Sequence, residues 1–288
     1  MPEQYGASPE AWRFYSTTLG LTADLLPVVS NPNAQVAERS SMKALGKTPS
    51  RYDMQRQVVG IGKWTEATAT RAEIERWAKE PDYGIAVQTR RLRAIDIDVE
   101  GLEAATGITA TVWENFGGAS RIRYRSDSNR RLIPFWMSDE LFKHVIPVEG
   151  GMVEILATGQ QFIAEGTHPS GGRYLWTEGE IPTLTAKTFP SLLKALAEFA
   201  TSPIKVARAR KRGETTLEST DDVAAWLIAN WECYDEGRDG QIYIRCPFED
   251  QHTSDSSDSS TAYFPAGTGG YAEGNFVCLH WRSRRGWC

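Results

Sequence analysis

Between residues 91 and 101 the chain reads RLRAIDIDVEG, with Ile95, Ile97 and Val99 on one parity and Asp96 and Asp98 on the other. Alternation of period two predicts a β-strand, since successive side chains point to opposite faces. The three apolar residues then face a core and the two carboxylates project together from the other side. Upstream, TATRAEIERWAKEP (68–81) has helical spacing at Ile74, Trp77 and Ala78. Thr70 is its N-cap, Glu73 the capping-box partner and Pro81 the stop. YGIAVQT reads as a short strand before the acidic one. LEAATGITATVWENFG reads as helix interrupted at Gly107, and RIRYR (121–125) and RLIPFWM (131–137) as strands joined by the turn SDSN. GGMVEILATGQQFIAEGTHPSGGRYLW (150–176) holds three short β-like runs separated by TG and PSGG. Helices follow at 190–202 and 221–232, whereas 34–56 reads as a polar loop carrying Lys43, Lys47 and Arg51. No internal repeat is present. The pattern predicts an α+β fold with three parts: a main domain over 1–202, a basic linker over 203–219, and a helix with a small module over 220–288.

Composition changes this picture little. The 288 residues are 41% hydrophobic and 24% charged, ordinary for a globular protein. No apolar run approaches the roughly 20 residues of a membrane span. The N-terminal MPEQYGASPEAW lacks the basic start and apolar stretch of a signal peptide, so a cytoplasmic location is expected, with no membrane partner. The net charge of −5 gives no overall attraction to nucleic acid, but basic residues cluster at SRIRYRSDSNRRL, KVARARKR and WRSRR. A basic groove on an acidic protein is compatible with that distribution.

The acids carry the first chemical signal. Like charges on one strand face raise each other's pKa unless a cation lies between them. A D-x-D pair alone fits an exposed strand face as well as it fits a metal site. A third acid set in an apolar strand, Glu154 in GMVEILA, favours the metal. Three carboxylates from neighbouring strands can hold two divalent cations about 3.5–4 Å apart, and hard oxygen ligands suit Mg²⁺ or Mn²⁺. Such a pair serves in-line phosphoryl or nucleotidyl transfer. In GTHPSGGRYLW, His168 sits in a turn of small residues followed by Arg173, whose guanidinium suits a phosphate. A turn histidine by itself is more often an incidental surface residue.

All four cysteines fall after residue 232, which fits local metal ligation better than a disulfide framework. Cys246 and His252 form C-x5-H, Cys278 and His280 form C-x-H, and 25 residues intervene. Two such pairs suit a structural tetrahedral Zn²⁺. Cys288 is the alternative fourth ligand, and Cys233 reads as a buried or incidental thiol.

In chain order, GKTP (46–49), RWAKEP, YGIAV, AIDIDVEG and VEI…GQQFIAEGTHPSGGRYLW resemble the bifunctional primase-polymerase domain of phage and plasmid replication proteins, in the archaeo-eukaryotic primase superfamily. The resemblance covers roughly residues 20–200. It implies an RRM-like sheet carrying the acids, braced by an N-terminal α/β unit. It also implies template-directed nucleotide addition or primer initiation on single-stranded DNA from nucleoside triphosphates, using two Mg²⁺ or Mn²⁺ ions. Asp96 and Asp98 match the family's first acidic motif, and Glu154 its later acid. The family's intervening histidine is absent. Arg123, Ser128, Arg130 or Arg131 is left to contact the triphosphate, with Lys47, His168 and Arg173 as further candidates. The tail resembles zinc modules of phage-type primases, with Ser283 where their last cysteine stands. Such modules grip template, and TAYF and the basic arms suit that role as well as the aromatics suit core packing. No G-x-x-x-x-G-K-[ST] loop occurs, so a helicase would act in trans. Two rival functions remain open: a non-catalytic single-strand-binding replication accessory protein, and a metal-dependent nuclease.

Overall fold

The structure, a computed structural model, describes residues 4–38, 40, 42, 44–207, 221–231, 233–237, 239–247 and 259–278. The chain divides into two compact units, Met1–Arg208 and Ala209–Cys288. Among the described residues no helix is long and apolar enough to cross a membrane.

In chain order the first unit opens with α1 (Pro9–Arg13), β1 (Leu25–Val29), β2 (Ser50–Tyr52), β3 (Val58–Gly60), α2 (Arg71–Trp77) and β4 (Tyr83–Gln88). It continues through β5 (Leu92–Val99), α3 (Leu102–Phe116), β6 (Arg123–Arg125), β7 (Ser128–Trp136) and β8 (Lys143–Val148). Then come β9 (Gly151–Leu156), β10 (Gln161–Glu165), β11 (Leu175–Trp176), α4 (Phe189–Ala197) and β12 (Lys205–Ala207). Seven strands form one antiparallel sheet in the order β11-β6-β7-β5-β9-β8-β12, and β1-β4-β10 form a second. The result is the expected α+β architecture.

Each face of the large sheet has its own core. On one, Ile95, Ile97, Val99, Ile133, Phe135, Val153 and Ile155 pack against Ala105, Ile108 and Val112 of α3 and Leu192 and Leu196 of α4. On the other, Leu92, Ala94, Leu132 and Leu156 meet Leu25, Ile85, Val87 and Phe162 of the small sheet, with Trp12 and Ile74 behind them. On the face toward α3 and α4, strand β5 begins with the buried, hydrogen-bonded Arg93 before Ile95. On the face that meets the small sheet it is apolar at Leu92 and Ala94 and becomes acidic at Asp96. That is where cover by the N-terminal layer ends.

Local signals in the sequence account for several element ends. Thr70 and Glu73 form the reciprocal capping box of α2. Helix α3 runs unbroken through Gly107, contrary to the expected interruption. A helical glycine costs about 1 kcal/mol relative to alanine, and the buried stripe Ala105, Ile108, Thr109 and Val112 outweighs that cost. Strands β1 and β8, which sequence pattern alone does not mark, each contain a proline. Pro27 lies in β1, an edge strand bonded only to β4, where a missing N–H costs no ladder bond. Pro147 pairs with Met152 on one side and lies beyond the β12 ladder on the other.

The second unit contains α5 (Asp222–Asn230), capped by the Asp221 side chain, and a four-stranded antiparallel sheet. Its strands are β13 (Cys233–Glu236), β14 (Ile242–Ile244), β15 (Thr261–Phe264) and β16 (Asn275–Cys278). Cys233 is buried with Ala224, Leu227, Ile242, Ile244 and Tyr263, as a structural thiol would be, and burial raises its pKa.

Candidate active site

The central strand β5 is bonded to β7 on one side and β9 on the other. Asp96 stands opposite Leu132 and Glu154, and Asp98 opposite Met152. Directly opposed residues share a face, so Asp96, Asp98 and Glu154 occupy the same side of the sheet. Asp96 and Asp98 open into a cleft of about 190 Å³, which Lys47, Arg123, Arg125, Arg130, His168 and Tyr174 also line.

Two loops close the cleft from the small-sheet side. Gly166 at φ +127° and Gly84 meet over Ser30, with no room for a Cβ on either, which sets the path of the turn after β10. In the GKTP loop, Gly46 has φ +71°, and a Cβ there would lie 3.3 Å from the Pro169 ring. Gln161 donates to the Lys47 carbonyl at 2.8 Å, fixing the loop against β10. Lys47 and His168 are thus brought to one rim although 121 positions separate them in sequence.

Each acid has a cationic neighbour. Arg123 Nη2 is 3.9 Å from Asp96 Oδ1, while its Nη1 donates to the Ile163 carbonyl at 2.5 Å and its guanidinium stacks 4.5 Å above Tyr174. Arg130 Nε is 2.7 Å from Asp98 Oδ1, and its Nη2 pairs with Glu100. Asp98 Oδ1 is buried and accepts no well-aligned hydrogen bond, so its contact with Arg130 is a charge contact only. Lys143 Nζ is 2.6 Å from Glu154 Oε1. Burial raises the pKa of Asp96, Arg123 opposes that, and Asp98 and Glu154 add to it. A divalent cation at this point would reverse the balance.

Several expected site residues are elsewhere. Arg131 points to the opposite face, where it donates to the hydroxyls of Thr109 and Thr106 on α3, each at 3.2 Å. Adjacent strand positions cannot share a face, so Arg130 reaches the cleft and Arg131 cannot. Arg173 is occupied by main-chain carbonyls, donating to Gln4 at 2.7 Å and to Gly6 at 2.9 Å. Ser128 closes the β6–β7 hairpin by accepting from the Arg130 N–H at 3.2 Å and does not line the cleft. Glu154 lies beside the cleft with its carboxylate turned to Lys143. Among the described residues no three His, Cys, Asp or Glu side chains converge on one point.

Other residues of the cleft and its surround are not singled out by sequence reasoning. Arg125 lines the cleft and reads in sequence only as one member of a basic cluster. Asp127 and Ser170 do not line it and carry no signal of their own inside the quoted motifs, and Lys143 sits on β8, a strand whose pattern does not announce it. Tyr174 is the buried floor beneath Arg123, visible in sequence only as the aromatic of the HPSG-x-x-Y turn.

In the second unit, Cys246 Sγ and Cys278 Sγ are 3.6 Å apart. Thiolates each about 2.3 Å from a tetrahedral zinc stand about 3.8 Å from one another, so this pair fits two zinc ligands. His252, His280 and Cys288 lie outside the described residues.

No curated protein matches the chain. The family model for the N-terminal domain of bifunctional DNA primase/polymerase matches residues 22–191, more than half of the chain and every residue lining the cleft, and the chain belongs to that family.

Proposed function

We propose that this chain is a nucleotidyltransferase that makes and extends primers on single-stranded DNA from nucleoside triphosphates. The observation that carries the reading is the cleft itself. Two adjacent carboxylates face Lys47, Arg123, Arg125 and Arg130 across a space of about 190 Å³. A metal–triphosphate complex needs that pairing, with hard oxygen ligands for the cation and guanidinium or ammonium donors for the phosphates.

Asp96 and Asp98 would hold Mg²⁺ or Mn²⁺. Asp98 supplies a buried oxygen without an aligned donor, and Asp96 a carboxylate already short of solvation. Bound there, the ions would activate the attacking 3′-hydroxyl and neutralise the leaving pyrophosphate. Glu154 joins them on this reading only by leaving Lys143. Arg123, held rigidly by Tyr174 and the Ile163 carbonyl, is preorganised to bind a phosphate at no cost in side-chain ordering. Lys47 and His168 would take the phosphates farther from the acids. Cys246 and Cys278, with His252 and His280 or Cys288, would hold a structural Zn²⁺ in the second unit, which would contact template.

The Glu154–Lys143 pair favours a second reading, a non-catalytic single-strand-binding accessory protein. Asp98→Asn distinguishes the two. On the enzymatic reading it lowers Mn²⁺-dependent incorporation of labelled nucleotide on single-stranded template by at least about 10³-fold, with the melting temperature unchanged. A wild-type protein that binds template and yields no product supports the accessory reading. Shortening of labelled DNA without nucleotides supports a nuclease.

A further inference from the structure

The turn that carries His168 is tied to the β6–β7 hairpin. Ser170 Oγ donates to Asp127 Oδ2 at 2.7 Å and lies 2.8 Å from His168 Nδ1. Gly172 packs so near Asp127 that a Cβ there would come within 2.6 Å of its carboxylate. Arg125 Nε holds the other carboxylate oxygen at 3.2 Å. Within the turn, His168 N–H donates to the Gly172 carbonyl and Gly171 N–H to the His168 carbonyl, both at 2.8 Å. The imidazole stands edge-on to Tyr174, 6.0 Å between centroids.

The protonation state of the imidazole follows from its neighbours. The Ser170 main-chain N–H, a donor at every pH, donates to His168 Nδ1 at 3.1 Å. Nδ1 therefore presents its lone pair, and the neutral ring carries its proton on Nε2. The Ser170 hydroxyl proton has two acceptors in reach, Asp127 Oδ2 and Nδ1. Protonating Nδ1 would set two N–H groups against each other, in the company of Arg125, Lys47 and Arg123, with Asp127 the opposing charge. Burial and these cations lower the His168 pKa to about 4.

We infer that Asp127 and Ser170 are positioning residues that hold His168 as a neutral Nε2–H donor to a nucleotide phosphate. This inference rests on the proposed reading of the cleft as a triphosphate site. The hairpin thus provides the orienting carboxylate, and the turn after β10 the histidine that the family places elsewhere. A neutral donor suits a rim where four cations already converge, because it adds a hydrogen bond without further charge repulsion.

The test uses the full chain with Mg²⁺ and a deoxynucleoside triphosphate whose α–β bridge is methylene. Loss of one hydrogen bond to a charged group predicts that His168→Ala weakens binding about tenfold. Asp127→Ala and Ser170→Ala weaken it roughly fivefold, the Asp127/His168 double variant is no weaker than His168→Ala, and Asp127→Asn stays near wild type because its amide oxygen still accepts from Ser170. Nucleotide incorporation at saturating substrate is unchanged in the Asp127 and Ser170 variants, so the loss falls on KM alone. In ¹⁵N-histidine spectra the His168 resonances, assigned by their loss in His168→Ala, report the Nε2–H tautomer between pH 5.5 and 8. If His168→Ala weakens binding while Asp127→Ala and Ser170→Ala do not, or if the spectra show an Nδ1–H tautomer, the positioning role is overturned and the cleft reading stands. If His168→Ala leaves nucleotide affinity intact, the inference is overturned and the cleft reading stands; if the wild-type chain itself binds no nucleotide, the cleft reading falls.

Discussion

Glu165, the last residue of β10, offers a direct test of the electrostatics behind the cleft. It is largely enclosed beneath the turn, with Tyr15 donating to its Oε1 at 3.5 Å. Burial pushes its pKa from 4.5 up to about 7 despite the opposing influence of Arg173 and Arg121. Between those two values the folded protein retains a proton that the unfolded chain has released, so stability falls as pH rises from 4.5 through 7. Keeping the ionised carboxylate in place above pH 7 costs about 3 kcal/mol relative to the neutral acid. Glu165→Gln has nearly the same shape, can still accept from Tyr15, and never ionises. It is expected to match wild type at pH 4 and to exceed it by about 3 kcal/mol at pH 8. For a unit of this size that is a rise in melting temperature of about 6–12 °C. Calorimetry of both proteins at the two pH values is the assay. A difference independent of pH would refute the assignment, since packing alone does not titrate. A lower melting temperature for the variant at pH 8 would show that Arg173 and Arg121 hold the carboxylate ionised.

Two further predictions concern the cleft and the second unit. Arg130→Ala removes the charge neighbour of Asp98, a half-exposed pair worth at most about 1 kcal/mol. It should tighten Mn²⁺ binding without nucleotide by roughly two- to fivefold and weaken nucleotide binding by about tenfold, opposite signs that calorimetric titration resolves. On the proposed zinc reading, the wild-type chain carries about one equivalent of zinc on metal analysis and Cys246→Ser carries none, while the thermal transition of the first unit stays in place.

Much of the site was legible because a strand has a strict period. The parity of RAIDIDVEG put Asp96 and Asp98 on one face whatever the neighbouring strands were, and placed Ile95, Ile97 and Val99 in the core. The same rule could not choose between Arg130 and Arg131. Both parities of β7 are apolar beyond them, with Leu132 and Pro134 on one face and Ile133 and Phe135 on the other. Only the pairing with β5 decides which arginine meets the acids. Arg173 was illegible for a different reason. Its partners are main-chain carbonyls near the N-terminus, which no side-chain pattern records. Capping chemistry is local and could be read directly, as at Thr70 and Glu73. Gly107 misled because propensity is a small cost set against a whole buried stripe.

The ion pairs also bear on how the cleft would fill. Asp96, Asp98 and Glu154 each lie beside a different cation, Arg123, Arg130 and Lys143 respectively. Each acid on this partly covered sheet face therefore has a cation beside it before any metal ion binds. A divalent cation arriving alone would have to displace a guanidinium from Asp98 and leave it without a partner. A nucleotide arriving alone would draw Arg130 to its phosphates and leave Asp98 without its cation. When the two arrive together, Asp98 exchanges Arg130 for the metal while Arg130 exchanges Asp98 for a phosphate, so the number of opposite-charge contacts does not fall. On the proposed reading the cleft therefore binds metal and nucleotide more tightly together than separately, and by linkage each raises the affinity for the other by the same factor. Arg130 is the residue through which that coupling passes, because it is the cation within 2.7 Å of one carboxylate and also lines the space the phosphates would occupy.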